Sequence, residues 1–313
     1  MLSIGIPVYN YTIRELVLEL HKQALACTIP FEIIILDDYS LEENKKNNRT
    51  LAELPHVVYH ELPKNIGRSK IRNALAEHAT FPYILFMDCD AKIPNASFLK
   101  TYIAAITPNT VLCGGTTYSN IKPAKSHTLR WKYGHVREVK TAEERAIAPY
   151  TSFTTFNFII PKHIFQEIRF NEDIKKYGHE DTLFGYELKQ KHIPIIHVNN
   201  PLIHVGIDSN RDFVLKTKQG IQSLHQLRIS QNSEANFTDD VRLVHILHKI
   251  EALHITSVLA LFHTFFYTSI EYQLIYKKPR LLFFDLYKIG YLASLCQESK
   301  KLKKKVDSCK KRQ

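Results

Sequence analysis

The sequence predicts an α/β domain, a mostly parallel sheet flanked by helices, carrying a helical C-terminal extension. Three observations predict it. Through the first half of the chain, short apolar runs rich in β-branched residues alternate with segments of helical period, the pattern of strands joined by crossover helices. Paired aspartates close two of those runs, and sheets of this kind hold ligands beyond the carboxyl ends of their strands. From about residue 238 the pattern becomes long helical stripes and then a basic tail. The expected division is a sheet domain over 1–235 and a helical, basic extension over 236–313.

The chain opens on a strand-like run, Leu2 to Val8. Ile13, Leu16, Val17, Leu20 and Ala24 then recur at three- and four-residue intervals and mark a helix packed by one face. Phe31 to Leu36 is apolar apart from Glu32, which suits a strand covered on both sides. Further strands are expected at 57–61, 83–87 and 111–114, with helices at 69–78 and 96–106. Residues 118–155 show no clear period and contain Trp131, Tyr133 and His135; an acceptor-side loop or lid is expected there. Strand character returns at Phe156 to Ile160, helical character at Asp181 to Lys191, and short strands are expected at 194–198 and 202–205. Leu243, Ile246, Leu247, Ile250 and Leu253 form a helical stripe. Ile255 to Ile270 is the one candidate membrane span, but it is shorter than the roughly 20 residues a span needs and carries His263 near its middle.

The formal net charge of +11 raises nucleic acid, anionic membrane and phosphorylated substrates as partners. Its distribution decides among them. From Lys277 onward, twelve Lys and Arg face Asp285, Glu298 and Asp307, so +9 of the charge belongs to the tail. Nucleic-acid binding would rest on that tail alone and is not expected. The tail suits either an anionic membrane surface or a solvated end on a packed helical subdomain. Five cysteines without a Cys-x-x-Cys spacing argue against a disulfide framework or thiolate zinc site. With no secretory leader pattern ahead of the first strand, a cytoplasmic protein is expected, either free or peripheral on the inner face of the cell membrane.

Four features carry chemistry. Pro7-Val8-Tyr9-Asn10 ends the first strand, and Asp37-Asp38-Tyr39-Ser40 ends the next. Asn65-Ile66-Gly67-Arg68 runs through Arg72-Asn73 toward Asp88-Cys89-Asp90. Tyr177-Gly178-His179-Glu180-Asp181 comes last, followed by His204. Each has a plain structural alternative, since Asp also begins turns and caps helices, and a lone His near a strand end is commonly structural. Residues i and i+2 of an extended segment share a face, so Asp88 and Asp90 can address one ligand.

Taken in this order, the set resembles the family 2 glycosyltransferases of the GT-A fold, over roughly residues 1–210, and among them the bacterial enzymes of surface-polysaccharide synthesis. The resemblance implies an inverting, metal-dependent transferase moving a sugar from a UDP-sugar onto an acceptor hydroxyl of a saccharide or lipid-linked saccharide. It implies Asp181 as catalytic base, with Glu180 beside it on an acceptor hydroxyl or at the helix start. Asp90 would ligate Mn²⁺ or Mg²⁺, His204 would complete the ligands, and Asp88 would contact the ribose or the metal shell. Tyr9, with Pro7 and Asn10, would lie against the nucleotide base; Asp38 would take the N3–H of uracil; Gly67, Arg68 and Arg72 would serve the diphosphate. Departures are Tyr39 for a small residue, Ile71 for Ala, and Ala91 where another acid is frequent. Two other readings stand beside this one: a sugar nucleotidyltransferase, which would carry a Gly-rich phosphate loop where Pro7 to Asn10 has none, and a non-catalytic carbohydrate- or membrane-binding protein of the same fold.

Overall fold

A computed structural model describes residues 1–174, 178–230 and 240–310. In chain order the first half runs β1 (Leu2–Val8), α1 (Arg14–Ala26), β2 (Phe31–Asp37), α2 (Glu42–Arg49), β3 (Val57–Glu61), α3 (Arg68–His78) and β4 (Tyr83–Met87). Then come β5 (Ala91–Lys92), α4 (Phe98–Ala105), β6 (Val111–Cys113), β7 (Thr116–Thr117), α5 (Thr128–Tyr133), α6 (Ala142–Ala146), β8 (Asn157–Pro161), α7 (Lys162–Glu167) and α8 (Glu180–Gln190). The remainder is β9 (Ile195–His197), β10 (Leu202–His204), α9 (Asn210–Ser230), α10 (Arg242–Ala252), α11 (Thr256–Tyr276) and α12 (Leu281–Lys310). Tyr177 lies outside the described residues.

The chain divides into two compact units: 1–120, 134–175 and 180–206 form one, and 121–133, 176–179 and 207–313 the other. The break at 206 precedes the 235 expected from the sequence, because α9 shares its buried face with the C-terminal helices: Phe213 and Val214 pack with Phe284 and Tyr287, and Ile221 with Leu247 and Leu292.

In the first unit, a seven-stranded sheet has the order β3-β2-β1-β4-β8-β6-β9. β3, β2, β1 and β4 run parallel, whereas β8 is antiparallel to both of its neighbours. Period-two alternation sorts the side chains. Ile33, Ile35, Leu85 and Met87 face one side with Leu16, Leu20, Leu99 and Tyr102 from α1 and α4. Ile34, Leu36, Ile84 and Phe86 face the other with Ile71, Leu75, Phe165 and Phe184 from α3, α7 and α8. Both faces are therefore covered, which is why these strands read as continuous apolar runs, and each fully buried side chain contributes about 1.5–3 kcal/mol. The sheet is the mostly parallel, helix-flanked one expected.

A second sheet has the order β5-β10-β7. It is small, but it sets β10, with His204, beside the segment that follows Asp90: His204 pairs with Ala91, and the Val205 N–H donates to the Asp90 carbonyl at 2.9 Å.

The 118–155 region, expected as an irregular loop, contains α5, α6 and a π-helical turn at Gly134–Glu138. Its pieces are five or six residues long, too short to show a period. Among the described residues no single helix is long and apolar enough to cross a membrane.

Candidate active site

The ends of β1 and β2 are sewn together. The Asn10 N–H donates to Ser40 Oγ at 2.8 Å, and the Leu41 N–H donates to Asn10 Oδ1 at 2.8 Å. Asn10 and Tyr39 both take positive φ, 51° and 68°, so each chain turns sharply just past its strand. Asp37 is fully buried and accepts from the Ser40 N–H at 2.7 Å and the Tyr59 hydroxyl at 2.8 Å. Tyr9 is half exposed at the mouth of this joint, with Tyr39.

Asp38 is turned toward the start of α3. Its Oδ1 accepts from the Ile66 N–H at 2.6 Å and its Oδ2 from the Gly67 N–H at 3.0 Å. Burial raises the Asp38 carboxyl above its usual range, and these two bonds offset part of the rise. Each oxygen retains a second lone pair, so the carboxylate can still accept from a ligand N–H. Gly67 has φ +83°, and a Cβ added to it would meet nothing within 4 Å, which leaves open space in front of its backbone.

From α3, Arg72 is almost wholly buried and donates from Nη2 to Asp88 Oδ1 at 2.6 Å. Its guanidinium carbon lies over the Phe170 ring, 5.6 Å from the ring centre, within the range of a cation–π contact. Asn73 holds the segment beside it: its side chain donates to the Phe170 carbonyl at 2.9 Å and accepts from the Phe170 N–H at 3.0 Å. Segment 170–172, which leads to the Gly178 turn, is thereby fixed to α3.

Asp90 faces His204, with Oδ2 and Nε2 3.2 Å apart. Burial pushes the Asp90 carboxyl up, but the hydrogen bond and charge of His204, with the charge of Arg68, outweigh it and hold the carboxyl low. His204 Nδ1 is buried with no hydrogen-bond partner among the described residues; the ring is held instead between Tyr118 and Phe156, at centroid distances of 5.5 and 5.3 Å. Two ligands about 2.1 Å from one ion and set roughly at right angles lie about 3 Å apart. The Asp90–His204 spacing fits such a pair, and a mixed oxygen and nitrogen set suits Mn²⁺ at least as well as Mg²⁺. Among the described residues no three His, Cys, Asp or Glu side chains converge as a metal cluster; Asp88 turns to Arg72 instead. Cys89, between the two aspartates, is pushed up to about 12 by burial and the neighbouring carboxylates, so it stays a thiol at neutral pH.

At the start of α8, Gly178 and His179 take positive φ, 98° and 73°, and this turn delivers Glu180 and Asp181. Glu180 is buried, and its Oε1 lies 3.6 Å from Arg68 Nη1. Asp181 Oδ1 accepts from the Thr182 N–H at 2.7 Å. Burial, and then the charge of Glu180, raises the Asp181 carboxyl to about 6, against the smaller opposing effects of the Thr182 N–H and of Arg72. Arg68 thus acts on both Glu180 and Asp90, and Arg72 on both Asp88 and Asp181, which joins the four acidic side chains into one site.

One functional position is not apparent from the motifs. A Cβ on Gly206 would come within 2.4 Å of Asp90 Oδ2 and 2.7 Å of Asp90 Cβ, so only glycine admits the carboxylate where it stands. A glycine two residues after the candidate ligand His204 was the available signal.

Three comparisons bear on the chain as a whole. The family model described as glycosyl transferase family 2 matches residues 3–169. A chondroitin synthase from Escherichia coli is 25% identical over 227 residues, 60% of this chain, and the chain spans only 32% of that relative's length. In fold, the chain resembles a mannosyltransferase from Pyrobaculum calidifontis solved with GDP-Man and Mn²⁺ (TM-score 0.58, 12% identity, 95% of this chain and 86% of that one). It also resembles residues 1–349 of S. aureus TarS solved with UDP (TM-score 0.50, 18% identity, 96% of this chain and 91% of that one).

Proposed function

Because the chain belongs to glycosyl transferase family 2, we propose that it is an inverting glycosyltransferase that moves a sugar from a UDP-sugar onto an acceptor hydroxyl. The observation that carries the reading is the placing of Asp181 beside Glu180 at the start of α8, where burial and the Glu180 charge raise its carboxyl to about 6 and the Arg72 that holds Asp88 acts on it in the opposite sense. A base poised near neutral pH can take the acceptor proton as the new bond forms, and be ionised before it does so. The acceptor hydroxyl loses its proton to Asp181, its oxygen bonds to the anomeric carbon, and the diphosphate leaves with the bonding pair from the opposite face.

The residues divide the remaining work. Arg68 and the open backbone at Gly67 suit the diphosphate, while Arg72 keeps Asp88 oriented toward the ribose. Tyr9, Pro7 and Asn10 line the base, and the spare lone pairs of Asp38 suit the N3–H of uracil. Asp90 and His204 would hold Mn²⁺ or Mg²⁺, which when bound stabilises charge growing on the leaving diphosphate. Likeness to a chondroitin synthase supports a saccharide acceptor, free or lipid-linked, in polysaccharide or glycolipid synthesis. A cytoplasmic setting accords with the free cysteines.

The test is nucleoside-diphosphate release from a panel of nucleotide sugars with Mn²⁺, with and without saccharide acceptors. Acceptor-dependent UDP release is expected, falling roughly 10³-fold in Asp181→Asn. Activity that survives Asp181→Asn and fails in Glu180→Gln moves the base to Glu180. Pyrophosphate formed from a sugar phosphate and a nucleoside triphosphate replaces the reading with nucleotidyl transfer.

A further inference from the structure

Within the second unit, α11 is buried along one edge only. Thr256, Ala260, His263, Ile270 and Leu274 face inward. The opposite face carries Val258, Leu261, Phe262, Phe265 and Phe266, spaced i, i+3, i+4, i+7 and i+8, with Phe265 72% and Leu261 58% exposed. A stripe of that regularity is ordinarily buried, and an uninterrupted apolar patch of this kind marks an interaction surface. Among its described side chains the neighbouring α12 presents nothing similar, because its Phe284, Tyr287, Leu292 and Cys296 are buried inside the unit.

What covers the stripe is indicated by the charge around it. At the C-terminal end of α11, exposed Tyr272 and Tyr276 are followed by exposed Lys277, Lys278 and Arg280. Lys132 and Lys122 belong to the same cluster: the Lys132 ammonium is lowered by burial and then by the charges of Lys278 and Lys122. The carboxylates of this stretch are committed elsewhere, Glu251 to Arg228 at 2.9 Å and Glu271 to the Tyr287 hydroxyl at 2.7 Å. An apolar face flanked by tyrosines and lysines matches the boundary between acyl chains and anionic headgroups. A second copy of the chain would cover the apolar stripe but accounts less well for the tyrosines and basic cluster at its end.

We propose that the exposed Val258–Phe266 face of α11 docks on an anionic lipid surface, lying in the interface with the Lys277–Arg280 cluster against the headgroups. α11 alone is not long and apolar enough to span; α10 and α11 together meet that length only across a bend of 117°. The helix therefore rests along the surface. Docking of this kind does not depend on which sugar is transferred, and it is read as binding rather than turnover.

Full-length protein is sedimented with phosphatidylcholine vesicles, with or without phosphatidylglycerol, at low and high salt. Binding is expected only with the anionic lipid, reversible by high salt. Phe265→Ser/Phe266→Ser should lower the partition coefficient roughly 100-fold, about tenfold per aromatic, with circular dichroism unchanged. Lys277→Gln/Lys278→Gln/Arg280→Gln should lower it roughly 100-fold at low salt and flatten the salt dependence. Folded Phe265→Ser/Phe266→Ser protein that binds as the parent does overturns the assignment of the face. Equal binding to neutral vesicles overturns the anionic partner, and retention through high salt and alkaline carbonate overturns the surface-lying arrangement. A parent that binds no vesicles and sediments as a dimer, dissociated by the phenylalanine substitutions, replaces the lipid with a second copy.

Discussion

The two aspartate pairs at the ends of β2 and β4 look alike in sequence and are put to different physical use. Asp37 and Asp38 meet donors that belong to the fold: the Ser40, Ile66 and Gly67 N–H groups and the Tyr59 hydroxyl. Asp88 and Asp90 meet Arg72 and His204, side chains that are themselves ionisable and reach in from α3 and β10. The first pair is held by these donors with Asp37 wholly buried and Asp38 left a spare lone pair on each oxygen. The second pair is held by charged or titratable side chains whose own positions depend on how α3 and β10 are docked. The difference teaches that an aspartate at a strand end is placed by its partners, and that the partners, which come from distant parts of the chain, decide whether it builds or reacts.

The largest expected effect breaks the second pair and spares the first. Asp90→Asn removes the charge that faces His204 and should reduce metal-dependent UDP release roughly 10²–10³-fold, an effect of the size seen when a charged catalytic stabiliser is lost, with little change in Tm. Asp37→Asn should do the reverse. It disturbs a fully buried carboxylate between two donors, costs about 1–3 kcal/mol of stability, and leaves the folded fraction active. Thermal unfolding measured beside initial rates separates the two; equal losses of rate and stability in both variants would erase the distinction.

Gly206→Ala should come next. The backbone there needs no positive φ, but the added methyl would meet the Asp90 side chain at its Cβ, Cγ and Oδ2, all within 3 Å. Rotating the carboxylate does not relieve a contact with its own Cβ, so the whole side chain must move away from His204. A loss of roughly 10–100-fold is expected, with a higher Mn²⁺ requirement and an unchanged circular dichroism spectrum. A normal Mn²⁺ titration in this variant would show that the Asp90–His204 spacing does not matter for metal use.

These pairs also show what the sequence made legible. The strands β1, β2 and β4 are readable because burial on both faces leaves an almost unbroken apolar run, and α1 because one packed face leaves a period. α9 is not, although it is 21 residues long, since its buried face includes Ser223 and His225 among the apolar positions and blurs the stripe. α2, composed of Glu42 to Arg49 with no apolar side chain, is supported instead by Arg49 pairing with Glu42 and Glu61. The two-residue strands β5 and β7 carry no period, yet they position His204. The candidate site residues are legible as an ordered set. Their division of labour is not, because the Arg72–Asp88 and Asp38–Gly67 contacts depend on how α3 is docked.

A smaller effect tests the electrostatics of the base. As the proposed base, Asp181 would have to be ionised to accept a proton, so kcat/KM should rise with pH and level off above about 6, the value to which burial and Glu180 raise its carboxyl. Glu180→Gln removes the like charge, and the acid limb should move to lower pH by up to about one unit. The plateau should fall only modestly, as for the loss of one hydrogen bond to the acceptor. An acid limb that does not move would assign the raised pKa to burial alone.

The smallest effect returns to the first pair. Gly67→Ala introduces a side chain where φ is +83° and ψ 170°, a region held almost entirely by glycine, at a cost of about 1–3 kcal/mol. Unlike Gly206, Gly67 faces open space, so the cost is conformational rather than steric. Its N–H donates to Asp38 Oδ2, and the strain should appear as a Tm lowered by several degrees and a raised KM for the nucleotide sugar, with kcat within a few-fold of the parent. A large fall in kcat with KM unchanged would mean that this turn serves the reacting atoms directly, and that the pair at the end of β2 is not confined to building the site.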